Sequence, residues 1–261
     1  MDISVIILNY KSERYLDDCI ESIRRHASDV EYEIIIVNND ADPLKNIWSE
    51  QNIQIINNTT NEGFSSACNK GAKIANGKAL FFLNPDTEIK TGNISELLSA
   101  FENSAVGIVA PQLILTDGKV QPWSAGHEVT LWDTIRNNFG YVRSEELWNA
   151  TTPTRVDWVS GAGLIIEKSL FKSINGFDEN FFMYFEDVDL CKKVSLLEKK
   201  VLLMPSVKIL HFGGQSFLND ERKQKRLYYD SQDYYFKKHF GRVSVFLLRF
   251  LRNLSLIFKK F

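Results

Sequence analysis

The sequence predicts an α/β fold built on a mostly parallel central sheet flanked by helices. Three observations carry that prediction. Continuous apolar, β-branched runs of strand length recur at 3–8, 33–37 and 79–83, as in strands buried on both faces. Segments of helical period stand at 15–25 and 64–75, so strands and helices alternate. The apolar runs also end in polar clusters: Asn9-Tyr10, Asn38 to Asp40, and Asn84 to Asp86. In open α/β sheets ligands bind beyond the carboxyl ends of the strands, where these clusters fall.

Each element follows in turn. The run 3–8 is the first strand. In 15–25, Leu16, Cys19, Ile20 and Ile23 recur at helical spacing. Strands are expected at 33–37 and, more briefly, at 54–56. The helix 64–75 has Gly77 placed to stop it. The strand 79–83 runs into Asn84-Pro85-Asp86-Thr87, and 94–102 reads as a helix. Beyond it, 112–121 reads as a hairpin turning at Asp117-Gly118. The stretch 123–154 has no clean period and reads as loops with short helices. Residues 156–167 are strand-like, 187–197 helical, 201–204 and 207–211 short strands, and the chain from Asn219 onward is helical and increasingly basic.

Composition narrows the class. The chain has 261 residues, 44% hydrophobic and 25% charged, which suits one full-sized core with an appended segment. A net charge of −2 gives no electrostatic case for nucleic-acid binding. Cys19, Cys68 and Cys191 are odd in number and lie outside any C-x-x-C pattern, which points to buried thiols in a reduced cytoplasmic compartment. The first residues lack a basic n-region, so no signal peptide is expected. No apolar run reaches the roughly 20 residues that span a bilayer.

Four constellations carry chemistry. Asp86 follows a buried strand and a proline; a carboxylate there suits Mg²⁺ or Mn²⁺, while Asn84-Pro85-Asp86-Thr87 taken in isolation reads as a turn. The segment Asn61-Glu62-Gly63-Phe64-Ser65 opens a helix and offers either N–H groups to an anion or an ordinary cap. Phe182 to Asp189 runs aromatic residues into Glu186, Asp187 and Asp189 at a helix start. The helix dipole favours acids there, but three of them beside Phe182, Tyr184 and Phe185 exceed what capping needs and suit a shielded general base. His211 ends an apolar strand before two glycines, and a neutral imidazole can complete a Mn²⁺ site.

Taken in order, these motifs resemble family 2 glycosyltransferases of the GT-A fold, over roughly residues 3–216. The resemblance rests on Ser4 to Tyr10, Asn61 to Gly71, Phe82 to Asp86, Gly161-Ala162-Gly163, Asn175 to Glu179, Glu186 to Leu190 and His211-x-Gly213-Gly214. It is nearest the bacterial rhamnosyltransferase branch. It implies a GT-A, Rossmann-like domain at 1–218 and a C-terminal helical, basic amphipathic segment at 219–261. It implies an inverting transferase using a divalent metal, Mn²⁺ or Mg²⁺, and a nucleotide-sugar donor, with dTDP-rhamnose preferred and a UDP-sugar (galactofuranose, GlcNAc, glucose or galactose) as the alternative. Asp86 and His211 would hold the metal. Asp187 would be the base, with Glu186 and Asp189 in support. Asn9, Tyr10 and Asn38 would hold the nucleoside, Asn69 and Asn84 would lie near the donor, and Trp158, Gly161 and Gly163 would border the acceptor. One departure stands out: Asn38 occupies the place where the family usually has an Asp that reads the base, and Asp40 is displaced from it.

In the C-terminal segment Val243, Phe246, Leu247, Phe250, Leu254, Ile257, Phe258 and Phe261 fall at three- and four-residue steps. Arg242, Arg249, Arg252, Lys259 and Lys260 lie largely elsewhere, and no acid follows Asp233. This reads as a basic amphipathic helix on an anionic membrane surface, with Leu248, Leu251 and Leu256 widening its apolar face. A helix packed on the catalytic domain or another subunit is the alternative, which leaves self-association open. The preferred whole is a cytoplasmic enzyme, peripheral on the inner membrane, adding sugar to a lipid-linked cell-surface glycan. A nucleotidyltransferase lacks support, because Asn9-Tyr10-Lys11-Ser12 is no glycine-rich activation loop. A non-catalytic sugar-nucleotide scaffold would not need Asp86 and Asp187.

Overall fold

The computed structural model describes residues 1–46, 48–138, 141–213 and 221–258. The elements run in chain order as β1 Ile3–Asn9, α1 Leu16–His26, β2 Tyr32–Asn38, β3 Ile53–Asn57, α2 Phe64–Ile74, β4 Ala79–Leu83, β5 Thr87–Thr91, α3 Ile94–Ser99 and β6 Val106–Ile114. They continue as β7 Ala125–Gly126, α4 Leu131–Asn138, α5 Glu145–Trp148, β8 Thr154–Val156, β9 Trp158–Val159, β10 Gly163–Glu167, α6 Lys168–Ser173, α7 Glu186–Ser195, β11 Lys200–His211, α8 Glu221–Phe240 and α9 Arg242–Phe258.

The main sheet has the order β3-β2-β1-β4-β10-β6-β11-β5, with β8 also paired to β11. Strands β1 to β4, β6 and β11 run one way; β10, β5 and β8 oppose them. The mostly parallel sheet expected from the sequence is therefore present. The antiparallel strand β10 lies inside it, between β4 and β6.

Both faces of the sheet are covered, which explains the unbroken apolar runs. Along β1 alternate residues point to opposite faces. Ile3, Val5 and Ile7 pack with Leu16, Cys19, Ile20 and Ile23 of α1 and with Ile94 and Leu97 of α3. Ile6 packs the other way, with Ala67, Cys68 and Ala72 of α2 and Leu190, Cys191 and Val194 of α7. A third cluster joins Phe181, Phe185 and Val188 to Tyr235, Phe236 and Leu248. All three cysteines are free and buried.

Several expectations change. The helix 64–75 ends at Ile74, before Gly77. Gly77 instead answers a close backbone approach: a Cβ there would lie 2.4 Å from the Ser4 nitrogen. Its N–H donates to Ser4 Oγ (2.8 Å), and Ser4 Oγ donates to buried Glu33 (2.6 Å). The strand β5 and the start of β6 were not expected. The hairpin turn at 117–118 forms, with Gly118 N–H donating to the Leu115 carbonyl (2.9 Å), but its return arm makes a single bridge, Ile114 to Val120. The strand expected over 156–167 is three pieces. The strands expected at 201–204 and 207–211 are one, β11, whose register against β6 shifts between Met204 and Lys208, so Pro205 is accommodated at the irregularity.

At the C-terminus, α8 and α9 are separated by Gly241 at φ +84°. Leu248 is buried and packs inward, so it does not widen the outer face of α9. Arg249 and Arg252 both reach Asp233 of α8, at 2.7 and 2.9 Å. Val243, Phe246, Leu247 and Phe250 remain exposed. Asn219, Lys259, Lys260 and Phe261 lie outside the described residues, as do the 218/219 boundary and the side chains of Leu254, Leu256, Ile257 and Phe258.

Replacing Gly77 by alanine should cost about 3 kcal/mol, because Cβ would displace main chain rather than a flexible side chain. Urea unfolding should show the midpoint fall with an unchanged slope.

Candidate active site

The site lies beyond the carboxyl ends of β1, β2, β3 and β4. There the register aligns Asn9 with Asn38 and Asn38 with Asn57. Their side chains form a ladder: Asn9 Nδ2 donates to Asn38 Oδ1 (2.9 Å), and Asn38 Nδ2 donates to the Asp42 carbonyl (2.9 Å) and to Asn57 Oδ1 (3.3 Å). Asn38 is 1% exposed and both of its polar groups are used. These bonds fix Asn9 and Asn38, both expected at the nucleoside, to each other at the strand ends. Tyr10 and Asp40 stay half-buried at the same edge.

Asn69 is also committed elsewhere. It clasps the 175–179 turn, donating to the Phe177 carbonyl (2.9 Å) and to Glu179 (2.9 Å) while accepting from Phe177 N–H (3.0 Å). At the start of α2, Phe64 N–H donates to the Phe182 carbonyl (2.7 Å), Gly63 N–H to Asn61 (2.9 Å) and Glu62 N–H to Asn39 (3.0 Å). Those three N–H groups are taken by protein, so they are not a cradle for an anion.

Asp86 and His211 do meet. Asp86 follows β4, His211 ends β11, and the two strands' ends are joined through β5. His211 Nε2 lies 3.4 Å from Asp86 Oδ1 and 3.3 Å from Asn84 Nδ2. On the ring's other side, Nδ1 is 2.8 Å from Gln121 Oε1. Gln Oε1 can only accept, so Nδ1 carries a proton and Nε2 is free to bind a metal in the neutral ring. Two ligands about 2.1 Å from one ion lie roughly 3 Å apart when cis, close to the observed separation. The oxygen–nitrogen pair suits Mn²⁺. Among the described residues no group of three or more His, Cys, Asp or Glu could hold a metal by itself. The pair fits an ion that completes its shell with ligand oxygens. Gly214 and Ser216 of the His211 motif lie outside the described residues.

The second half of the site is the start of α7. Tyr184 and Phe185 both take left-handed backbone, at φ +71° and +65°, an arrangement costing about 1–3 kcal/mol each. The turn delivers three acids into three different environments. Asp187 is half-buried; its Oδ2 accepts Gly161 N–H and its Oδ1 accepts Val188 N–H, both at 2.8 Å. Burial pushes its carboxyl above the ordinary range, opposed by those two N–H groups. Glu186 is buried, its Oε2 has no hydrogen-bond partner, and burial followed by the Asp187 charge pushes its carboxyl well above the ordinary range. Asp189 is wholly buried and paired with Lys238 and His239 of α8, each within 2.7 Å. The structure therefore places Asp189 in a tether rather than beside a reacting group.

The two halves share one loop. Gly161 N–H holds Asp187, and the next residue, Ala162, accepts Asn84 N–H through its carbonyl (3.0 Å). Gly163 then pairs with Leu83. A Cβ on Gly161 would sit 3.3 Å from the Phe64 ring and 3.6 Å from Asp187 Cβ. Trp158 donates to the His127 carbonyl (3.0 Å) and packs between two core clusters. Gln121, Lys238 and His239 were missed in the sequence; each acts on a motif residue far away in the chain.

Comparison with known proteins shows the family and the fold. The profile of the family described as Glycosyl transferase family 2 matches residues 4–171. The low-salt glycan biosynthesis hexosyltransferase Agl10 of Haloferax volcanii is 28% identical over 73% of this chain and 60% of its own length. Rhamnosyltransferase WbbL of Escherichia coli is 25% identical over 80% of this chain and 83% of its own. An N-acetylglucosaminyl-diphospho-decaprenol L-rhamnosyltransferase of Mycobacterium tuberculosis is 25% identical over 81% and 76%. Among solved structures, GalNAc-T7 with UDP, GalNAc and Mn²⁺ superposes with a TM-score of 0.63 at 17% identity, over 81% of this chain and 44% of that one. S. aureus TarS 1-349 with UDP gives 0.55 at 16% identity, over 91% and 72%. These structural likenesses establish the GT-A fold.

Glu186→Gln should stabilise the protein at neutral pH. The folded-state carboxyl binds its proton more tightly than the unfolded one, so its contribution falls as pH rises above the unfolded value of about 4.3. The amide carries no such cost. Thermal unfolding across pH 3.5–8 should show a gain in Tm that shrinks toward the acid end.

Proposed function

The chain belongs to glycosyl transferase family 2 and is a glycosyltransferase, and from that premise we propose that it is an inverting, metal-dependent enzyme of cell-surface glycan assembly. The proposed donor is a nucleoside-diphosphate sugar, dTDP-rhamnose for preference, and the proposed acceptor a lipid-linked glycan. The observation that carries the reading is the shared loop: consecutive residues Gly161 and Ala162 fix Asp187 on one side and Asn84, next to the Asp86–His211 pair, on the other. A base and a diphosphate-binding pair are thereby held in one rigid frame. The rhamnosyl preference rests on the names of relatives in Escherichia coli and Mycobacterium tuberculosis.

In this reading Asp86 and His211 hold the divalent ion, which when bound neutralises charge growing on the departing diphosphate. Asp187 accepts the proton of the acceptor hydroxyl as that oxygen bonds to the anomeric carbon and the nucleoside diphosphate leaves with its bonding electrons. A base is most useful with its pKa near working pH, and burial moves Asp187 in that direction. The Gly161 and Val188 N–H groups orient it and favour the ionised form. Burial and the Asp187 charge push the neighbouring Glu186 carboxyl well above the ordinary range, which disfavours a second negative charge beside the base.

Asp187→Asn and Asp86→Ala should fail in different ways. The first should abolish sugar transfer while leaving calorimetric binding of the nucleoside diphosphate with Mn²⁺ intact. The second should weaken that Mn²⁺-dependent binding itself. Near-normal turnover by the Asn variant would remove Asp187 as the base.

The proposed membrane contact rests on the outer face of α9. Among the described residues no helix is long and apolar enough to cross a membrane. Exposed Val243, Phe246, Leu247 and Phe250 form an apolar stripe that starts beside exposed Arg242, the composition of a helix lying on an anionic surface. Because Phe246 and Phe250 are 71% and 55% exposed, Phe246→Glu with Phe250→Glu should leave Tm unchanged and abolish co-sedimentation with phosphatidylglycerol vesicles. Undiminished sedimentation would refute the contact.

A further inference from the structure

We infer that Lys238 and His239 of α8 are positioning residues for catalysis, gripping Asp189 and Asp178 so that the strained Tyr184-Phe185 turn presents Asp187 to the acceptor. This rests on the reading of Asp187 as the base and extends it to a part of the chain beyond the family match, which ends at residue 171.

The grip has two points, the Lys238 ammonium and the His239 ring. Lys238 Nζ lies 2.7 Å from Asp178 Oδ2 and 2.7 Å from Asp189 Oδ1. His239 Nε2 is also 2.7 Å from Asp189 Oδ1. Asp178 precedes the turn and Asp189 follows it, so one ammonium group staples both ends of the segment that carries Asp187. Tyr234 OH donates to Asp178 Oδ2 (3.0 Å), and Ser231 Oγ donates to the Met183 carbonyl (2.7 Å), one residue before the strained pair. Aromatic contacts close the set: Phe185 lies against Tyr228 and Tyr235, each with centroids 5.4 Å apart, and Phe181 against Tyr234 at 4.8 Å. Two successive left-handed non-glycine residues persist only where their surroundings hold them. Most of what holds the outer side of this turn comes from α8. Asp189 stands two residues from Asp187 on the same helix, so a shift of α7 moves the base directly.

The test uses the full-length protein. Lys238→Met and His239→Ala should each lower kcat for sugar transfer about 10- to 100-fold, with nucleoside-diphosphate affinity in the presence of Mn²⁺ unchanged. Lys238→Arg, which keeps a charged donor for both carboxylates, should recover much of kcat. Asp233→Asn serves as the destabilisation control, because it loosens α8 from α9 without touching the grip; its kcat should remain near that of the parent at temperatures where it is folded. If Lys238→Met and His239→Ala lose no more kcat than this control, or if Lys238→Met also loses nucleotide binding, the inference is overturned. Failure of Asp187 as the base would show separately, as turnover by Asp187→Asn.

Discussion

Placing three carboxyl groups, two buried and one half-buried, within the first turn of α7 is the constraint around which the site is arranged. A helix start tolerates negative charge through its dipole, yet desolvation of an ionised carboxylate costs far more than the dipole returns. Each acid therefore needs its own resolution. Asp189 is given two partners from α8, the Lys238 ammonium and the His239 ring. Asp187 is given two backbone N–H groups. Glu186 is given nothing for one of its oxygens, and burial pushes its carboxyl well above the ordinary range. The outcome is three carboxyl groups in three different environments, of which only that of Asp187 is held by backbone N–H groups alone. That separation of three chemically similar side chains comes from their surroundings alone.

The same constraint accounts for the antiparallel strand inside an otherwise parallel half-sheet. β10 enters the sheet directly after the 160–162 loop, pairing Gly163 with Leu83 at the end of β4. A parallel crossover would carry this loop to the opposite edge of the sheet, away from Asn84 and Asp86. Running β10 backwards brings the loop to the carboxyl ends of the strands, where it meets α7 and the Asp86 turn together. Gly161 sits at that meeting, where a Cβ would lie 3.3 Å from the Phe64 ring.

What could be read in the sequence was what depends on local pattern. Strands β1, β2 and β4 are buried on both faces, so their unbroken apolar runs stood out, and α1 and α2 carry clean helical spacing. The strand β6 was hidden because Gly107 and Pro111 interrupt its run, and Pro205 split β11 into two expected strands. At the site, Asp86 and His211 were legible as motif members, and their proximity depends on β5 pairing with β11, two segments about 120 residues apart. Asn38 and Asn69 were placed near the donor by the family resemblance, which carries no information on their partners within the protein: Asn38 lies in register with two other asparagines, and Asn69 clasps a turn more than 100 positions away. Residue type announces hydrogen-bonding capacity, but only the register decides where that capacity is used.

The C-terminal helices show the same limit in another form. Periodicity in α9 reported a wide apolar face, but it could not divide that face into the part that packs inward and the part left outside. Leu248 belongs to the inner part, together with Phe236 and Tyr235 of α8. Arg249 and Arg252, which looked like the charged border of a surface helix, close onto Asp233 instead. α9 is therefore bound to α8 by an apolar contact and two ion pairs, and α8 is bound in turn to both ends of the turn that carries Asp187. Whatever meets the outer stripe of Val243, Phe246, Leu247 and Phe250 touches a helix only two packed interfaces from the acid at Asp187. The C-terminal helices are thus packed into the same body as the turn that carries Asp187, through an apolar contact and ion pairs.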